Sequence, residues 1–287
     1  MLRALKGVLK GIVPSTAKQW LKQKLYPSAA SATPFSLRES GDKVDVLLEN
    51  KVLLKAPWQL RGDVAAIFED RQCCLEPFGI LEQARKGNGV LLDVGAHVGL
   101  MSVLFASAAK DNRAIAFEPS PALQTRAKEI AAMNGVTEQV AIEPIAVGAA
   151  LDKTTMLIDP VGGYVQVKRY EHSMQTEPKQ IDVQVDTLDN VSSRLGIRGT
   201  VIKLDIEGYE YEALKGAQRV LSQHHPIIFL ELHLDYLEAR GIAPAAVLEI
   251  LQQHRYSFCS LRGEKLAARQ IVGSHWNRFH LVAIPDA

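Results

Sequence analysis

Acidic side chains and one histidine follow short apolar runs in the second half of the chain. Five residues share this position: Asp93, Glu118, Asp205, Glu231 and His233. Carboxylates and imidazoles accept hydrogen bonds from hydroxyls, bind cations and take protons from reacting groups. Any one acid could instead cap the following helix, where it would contribute a few tenths to about 1 kcal/mol. Because all five recur in the same place, we predict that they face a common ligand.

A glycine-containing turn, DVGAHVGLMS, follows the first of these runs and carries Gly95 and Gly99. It lacks the three glycines of the G-x-G-x-x-G turn that binds a dinucleotide. The next apolar run ends at Glu118, where a carboxylate can accept hydrogen bonds from both hydroxyls of a ribose. These residues favour a nucleoside-containing ligand without a pyrophosphate.

The stretch VIKLDIEGYEYEAL, residues 201–214, ends an apolar run on Asp205 and Glu207 and then turns at Gly208. Lys203 lies two residues before Asp205, so in a strand both side chains should point to the same face. An ammonium group there would pair with a neighbouring acid and hold Asp205 ionised. We predict that this strand end delivers carboxylates to a cleft.

Strands and helices alternate along the chain from residue 88. Five apolar segments are predicted strands: GVLLDVG, RAIAFEP, QVAIEPIAVG, TVIKLDIEG and PIIFLELH. This alternation predicts an α/β fold, with a mostly parallel sheet covered by helices on both faces. Ligands of such sheets lie at the carboxyl ends of the strands, where the acids stand.

The chain divides into three predicted segments. They are a basic amphipathic arm at 1–28, a linker and small α+β subdomain at 29–87, and the α/β domain at 88–287 with an insertion at about 151–190. Residues 27–43 are rich in Ser, Ala and Pro and are predicted to be linker. The following stretch, VDVLLENKVLLKA, predicts two strands that turn at Glu49 and Asn50, before a helical pattern.

The insertion predicts a hairpin around Gly162 and Gly163 followed by a polar loop. This segment should border the cleft. We therefore expect Tyr164, Lys168, Arg169 or Tyr170 to contact an acceptor molecule.

The N-terminal arm, residues 1–28, carries six basic residues and no acid. Its leucines recur near helical spacing, which would suit an amphipathic helix on an anionic membrane surface. The alternative is that the arm packs on the body of the protein with its lysines in water.

Composition limits the classes of function. The chain has 287 residues, 47% of them hydrophobic, and a formal net charge of +1. This near-neutral balance disfavours a nucleic-acid substrate. Three cysteines make no disulfide framework, and no apolar run approaches the roughly 18 residues needed to cross a bilayer. We predict a cytoplasmic protein, with peripheral membrane contact through the arm left open.

Four stretches, LLDVGAHVGLMS, AFEPSP, VQVDTLD and VIKLDIEGYEYEALKGA, resemble the FkbM-type, S-adenosylmethionine-dependent methyltransferases. The resemblance covers about residues 88–284. It implies a class I, Rossmann-like methyltransferase sheet of seven strands, the last antiparallel, ending with YSFCSL and RFHLVAIP. It also implies methylation of a hydroxyl on a glycan, lipid-linked sugar or polyketide-like small molecule.

The resemblance assigns residues to the cofactor S-adenosylmethionine. Those carried over are Asp93, Gly95 and Gly99 in the turn, Glu118 at the ribose, and Asp205 and Glu207 in an acidic motif. His97 stands in the turn where Asn is more usual in the family.

Methyl transfer to an alcohol calls for a base near the methyl group. His233 and Asp205 are the candidates, although His233 at a strand end could equally make one structural hydrogen bond. Asp205, Glu231 and His233 could alternatively bind Mg²⁺ or Mn²⁺. The spacing comes from strand alternation, so we predict no metal.

Two other functions remain open from the sequence. A nicotinamide-dependent oxidoreductase would need the missing third glycine. A non-enzymatic, membrane-peripheral or cofactor-binding protein could retain the same fold without turnover.

Overall fold

The computed structural model describes residues 34–69, 74–158, 165–166 and 179–286. The strands in chain order are β1 (Phe35–Ser40), β2 (Lys43–Leu48), β3 (Lys51–Pro57), β4 (Val90–Val94), β5 (Arg113–Phe117), β6 (Val140–Glu143), β7 (Ile145–Val147), β8 (Asp152–Ile158), β9 (Val165–Gln166), β10 (Lys179–Asp186), β11 (Val201–Leu204), β12 (Ile227–His233), β13 (Tyr256–Cys259), β14 (Lys265–Leu266) and β15 (Arg278–Pro285). The α-helices are α1 (Arg61–Phe68), α2 (Leu75–Ala84), α3 (Leu100–Ser107), α4 (Pro121–Met133), α5 (Leu188–Leu195), α6 (Glu210–Lys215), α7 (Leu234–Ala239), α8 (Pro244–Gln253) and α9 (Ala268–Val272).

The central sheet has eight strands in the order β14-β13-β15-β12-β11-β4-β5-β6. Strands β12, β11, β4, β5 and β6 run parallel, whereas β15 is antiparallel to both β12 and β13. The predicted α/β fold with an antiparallel last strand is therefore confirmed. Strand β14 is a two-residue edge strand beyond the seven that the resemblance implies.

Helices cover both faces of this sheet, because its strands are apolar on both sides. Successive residues alternate between the two cores: Leu91 packs with α2, α3 and α4, whereas Leu92 packs with α5, α6 and α8. The same alternation places Asp93 and Lys203 on the α3 side of the sheet, directly opposite each other in the β4–β11 register.

The segment before β4 folds into a three-stranded antiparallel sheet with the order β1-β2-β3. Glu49 and Asn50 both adopt positive φ, as the predicted hairpin turn requires. The prediction that residues 27–43 are linker is wrong for β1, because Phe35–Ser40 pairs with β2 along its whole length. Phe35 is buried and packs edge-on against Phe68, with 5.0 Å between ring centroids.

This front sheet shares its apolar core with the central sheet. Val46 and Leu54 belong to the same buried cluster as Leu91 and Phe105. Asn134, just after α4, also exchanges two hydrogen bonds of 2.7 Å with the backbone of Lys55 in β3. The boundary at residue 87 stays a prediction, and the core crosses it.

The third predicted strand, QVAIEPIAVG, is broken in two. Pro144 separates β6, which ends the central sheet, from β7, which joins a second sheet with the order β7-β10-β8-β9. Proline lacks the N–H that would continue the hydrogen-bond ladder. Strands β8 and β9 pair antiparallel, as the predicted hairpin requires, while Gly162, Gly163, Tyr164 and residues 167–178 lie outside the described residues.

The N-terminal arm, residues 1–28, also lies outside the described residues, so its membrane contact stays a prediction. Among the helices that the structure describes, none combines the length and apolar character needed to span a bilayer.

Candidate active site

The carboxyl ends of β4, β5, β11 and β12 bring the predicted polar residues to one edge of the sheet. Each strand is in parallel register with its neighbour, so Val94 lies beside Phe117 and Leu204 beside Leu230 at the strand ends. The turns that follow therefore converge. They form two adjoining groups, one around Glu118 and one around His233.

The turn after β4 needs left-handed backbone at three positions. Gly95, His97 and Gly99 have φ values of 80°, 52° and 77°. Asparagine and histidine tolerate this conformation better than most side chains, which explains why a histidine can occupy position 97. The Cβ of an alanine at 95 would lie 1.9 Å from the carbonyl oxygen of Asp205, so the β4 and β11 turns touch here through glycine.

Glu118 is buried behind this turn and connects it to the start of α4. Its Oε2 accepts a hydrogen bond of 3.0 Å from the backbone N–H of His97, and its Oε1 accepts one of 2.8 Å from the N–H of Ser120. Burial raises the pKa of Glu118 to about 7, and the two amides offset only part of that rise. The carboxyl group thus titrates near neutral pH.

Asp93 is fully buried at the end of β4. Its Oδ2 accepts a hydrogen bond of 2.6 Å from the Ser102 hydroxyl, while Oδ1 has no hydrogen-bond partner among the described residues. Burial raises the pKa of Asp93, against the smaller opposing effect of the Lys203 ammonium. The Ser120 hydroxyl, also buried, likewise has no partner in the described part of the chain.

Lys203 pairs with Asp205, as the sequence predicts, at 3.1 Å between Nζ and Oδ2. Burial alone would raise the pKa of Asp205, but Lys203, His233 and His280 together outweigh it and the pKa is lowered. Burial would likewise lower the pKa of Lys203, yet Asp205, Glu76 and Asp93 raise it instead. Asp205 is therefore ionised at neutral pH.

His233, at the end of β12, is completely buried and held by Glu210. Its Nδ1 lies 2.8 Å from Glu210 Oε1, and that oxygen also accepts a hydrogen bond of 2.9 Å from the Gly208 N–H. Burial would lower the pKa of His233, but the Glu210 hydrogen bond and the nearby carboxylates raise it to about 9. Its ring stacks on Tyr236, with centroids 5.5 Å apart.

Three carboxylates surround the other ring nitrogen of His233. Nε2 lies 3.4 Å from Glu207 Oε2, 3.6 Å from Glu231 Oε1 and 3.9 Å from Asp205 Oδ1. It makes no hydrogen bond within the described residues. Burial raises the pKa of Glu207 and of Glu231.

Sequence reasoning missed four residues of this network: Glu76, Glu210, Arg278 and His280. His280 lies opposite Glu231 in the antiparallel β12–β15 register and reaches Glu76 of α2 at 3.5 Å. Arg278 lies 3.8 Å from Glu231 and 3.9 Å from Glu207. Only Glu210 had a sequence signal, since it closes the acidic stretch that begins at Asp205.

The residues of the first group fit a nucleoside ligand. Glu118 offers a carboxylate, Asp93 Oδ1 and Ser120 Oγ have no hydrogen-bond partner among the described residues, and the turn between Gly95 and Gly99 brings backbone amides close by. Hydroxyl and amino groups of a nucleoside are the donors that such oxygen atoms lack.

A sheet with this strand order, a glycine turn after β4 and an acid after β5 defines a class I methyltransferase, the Rossmann-like type. The sequence profile of the methyltransferase FkbM domain matches residues 93–258. The chain therefore belongs to the FkbM methyltransferase family.

One relative among characterised proteins is the hexuronic acid methyltransferase AglP of Haloferax volcanii. It is 25% identical over 178 residues, which are 62% of this chain and 67% of AglP.

Solved structures are also similar. A methyltransferase FkbM from Methylobacillus flagellatus is 16% identical with a TM-score of 0.44, and the match covers 69% of this chain and 44% of that one. This chain thus spans less than half of that longer protein. The O-methyltransferase from Bacillus cereus, in complex with SAH, is 10% identical with a TM-score of 0.45, over 78% of this chain and 88% of that one.

Proposed function

We propose that the protein transfers a methyl group from S-adenosylmethionine to a hydroxyl group of a sugar-containing acceptor. The observation that carries this proposal is the position of the cluster around His233. It adjoins the glycine turn through the contact between Gly95 and Asp205, so donor and acceptor would meet where ionised oxygen atoms are available.

The residues of the first group would hold the cofactor. Glu118 would accept hydrogen bonds from the ribose, while Asp93 and the turn from Gly95 through His97 to Gly99 would shape its surroundings. S-adenosylmethionine supplies a methyl group on a positively charged sulfur. Transfer breaks the carbon–sulfur bond, forms an oxygen–carbon bond and releases the hydroxyl proton, so the protein's task is alignment and proton removal.

Proton removal falls to Asp205 more readily than to His233. Asp205 is ionised, whereas a histidine with a pKa of about 9 is already protonated at neutral pH. In this arrangement His233 would orient the acceptor, and it becomes a base only after losing its own proton. Glu207 would line the same space.

A sugar acceptor is supported by the relative named for hexuronic acid. Membership of a methyltransferase family removes the reason to favour a nicotinamide oxidoreductase, whose third turn glycine is missing. A protein that keeps the fold without turnover is an outcome that experiment can show.

The acceptor is tested with p-nitrophenyl glycosides of glucuronic acid, glucose and mannose, together with methyl-labelled S-adenosylmethionine. We expect label on at least the glucuronide, in a product that resists mild base because it is a methyl ether. A base-labile product would be a methyl ester and would move the reaction to the carboxyl group. No product from any glycoside would count against a sugar acceptor.

Replacing Glu118 by alanine should weaken S-adenosylhomocysteine binding by about 1 to 3 kcal/mol, because charged hydrogen bonds to the ribose are lost. Calorimetry on the native protein, on Glu118→Ala and on a control variant would measure this loss of affinity. The matched control is Glu143→Ala, which removes the acid at the end of the next strand, where Glu143 pairs with Arg194 at 2.8 Å. Equal affinity for native protein and Glu118→Ala would remove the ribose assignment.

The same binding should depend on pH through Glu118. Its pKa of about 7 lies above the ordinary 4.5, so the ionised form that accepts both ribose hydroxyls is lost as the pH falls through 7. Affinity should then fall by up to about tenfold per pH unit below 7. Without ligand the sign reverses: the folded state retains this proton, so its contribution to stability is lost as the pH rises from 4.5 through 7. Glu118→Gln should flatten both profiles.

A further inference from the structure

Three side chains at the carboxyl ends of β11 and β12 have the separations of ligands that share one metal ion. Asp205, Glu231 and His233 each offer an atom within 4.8 Å of the others. Two ligands at about 2.0 to 2.2 Å from one ion lie roughly 3 to 4.4 Å apart. The distances from Nε2 to Glu231 Oε1 and Asp205 Oδ1, 3.6 and 3.9 Å, fall in that range.

The orientation of His233 is a second and independent observation. The side chain is completely buried, and Nε2 points into the carboxylates without a hydrogen bond to any described residue. With Nδ1–H donating to Glu210, a cation that displaced the proton from Nε2 would meet a lone pair aimed at the carboxylates. A buried carboxylate behind a histidine is the arrangement that orients metal-binding imidazoles.

Asp205 and Glu231 each direct one carboxylate oxygen towards His233 and the other towards a different residue. Lys203 binds Asp205 Oδ2, which leaves Oδ1 facing His233. Glu231 presents Oε1 to His233, while Oε2 faces His280. One oxygen atom of each carboxylate is therefore directed at the same small space.

Charge also favours a cation there. Four carboxylates, those of Asp205, Glu207, Glu210 and Glu231, are accompanied by two permanent cations, Lys203 and Arg278. Arg278 is half-exposed, and its guanidinium lies 3.8 Å from Glu231 and 3.9 Å from Glu207. The carboxyl groups outnumber the permanent cations by two, and a divalent ion would bind in place of the proton on His233.

We propose that Asp205, Glu231 and His233 bind a divalent cation of the Mg²⁺ or Mn²⁺ class, with Glu207 within reach as a fourth ligand. Oxygen-rich sites with one imidazole suit these hard cations. This replaces the expectation of a metal-free site. The ion's role rests on the proposed function: it would bind the acceptor hydroxyl and promote loss of its proton to solvent, with Asp205 as ligand instead of base.

The site is tested with Mn²⁺ alone, on the full chain after treatment with EDTA. Calorimetry and the loss of the free-ion electron paramagnetic resonance signal should show one Mn²⁺ per chain. The bound ion should show hyperfine coupling to a single histidine nitrogen. His233→Ala should abolish that coupling and weaken binding at least about a hundredfold, and Glu210→Gln, which removes the charge behind the histidine but no proposed ligand, about 10- to 100-fold.

Glu143→Gln, which removes an acid outside the cluster, should bind Mn²⁺ like the native protein. Absence of stoichiometric binding by the native chain, or binding without nitrogen coupling, would overturn the proposal, and the latter needs no variant to fold. These measurements use neither methyl donor nor acceptor. A metal site without turnover would thus count against the proposed function alone, and EDTA-resistant methyl transfer against the ion's role alone.

Discussion

Replacing Gly95 with alanine should lower the free energy of unfolding by about 2 to 5 kcal/mol and abolish cofactor binding. The residue has a φ of 80°, which costs an L-residue about 1 to 2 kcal/mol. The new methyl group would also lie 1.9 Å from the carbonyl oxygen of Asp205, so the two turns must separate. Forced repacking of this kind typically costs about 1 to 3 kcal/mol in addition.

Gly135→Ala is the matched control for this prediction. Gly135 has a φ of 69°, and no atom lies within 4 Å of the position its Cβ would take. This variant should therefore show the backbone cost alone, about 1 to 2 kcal/mol. Urea denaturation and S-adenosylhomocysteine calorimetry on both proteins make the comparison. Equal losses of stability would show that the contact between the β4 and β11 turns relaxes freely.

Lys203→Met should destabilise the protein by about 3 to 5 kcal/mol at neutral pH. The side chains of Lys203 and Asp205 are 12% and 30% exposed, so removing the ammonium leaves Asp205 as a partly buried charge without its cation. Without the ammonium, burial would raise the pKa of Asp205, so this carboxyl group would be protonated more easily. The deficit relative to the native protein should therefore shrink as the pH falls.

Two further variants distinguish the loss of a buried ion pair from the loss of an exposed one. Arg126→Met breaks an ion pair with Glu129 of similar length, 2.9 Å, but with both side chains about half exposed, and should cost at most about 1 kcal/mol. The double variant Lys203→Met with Asp205→Asn should recover part of the stability, because the carboxylate that paired with Lys203 is removed as well. Denaturation curves in which Lys203→Met matches Arg126→Met would contradict the prediction.

The sequence predicted those parts of the site that depend on local periodicity. Asp93, Glu118, Asp205 and His233 meet because parallel strands align their carboxyl ends, and that rule needs only the order of strands and helices. The pairing of Lys203 with Asp205 follows from the two-residue alternation of a strand. Both could be read from apolar runs and spacing.

The parts that depend on long-range register could not be predicted. His280 faces Glu231 only because β15 pairs antiparallel with β12 in one particular alignment, and a shift of one residue would turn it to the other face. Glu210 reaches His233 because Glu207 and Gly208 adopt positive φ and reverse the chain. Strand β1 was missed because Phe35 and Leu37 are its only large apolar residues, too few to mark a strand against its polar neighbours.

The apolar core that joins the front sheet to α3 and α4 limits how the segment before β4 could be exchanged between family members. The profile match begins at Asp93, inside β4, yet Val46 and Leu54 lie in the same cluster as Leu91, and Glu76 lies 3.5 Å from His280 of the His233 network. The front segment is thus not a modular attachment. Grafting it from another family member to change acceptor choice would have to import its half of the core and the partner of His280 along with it.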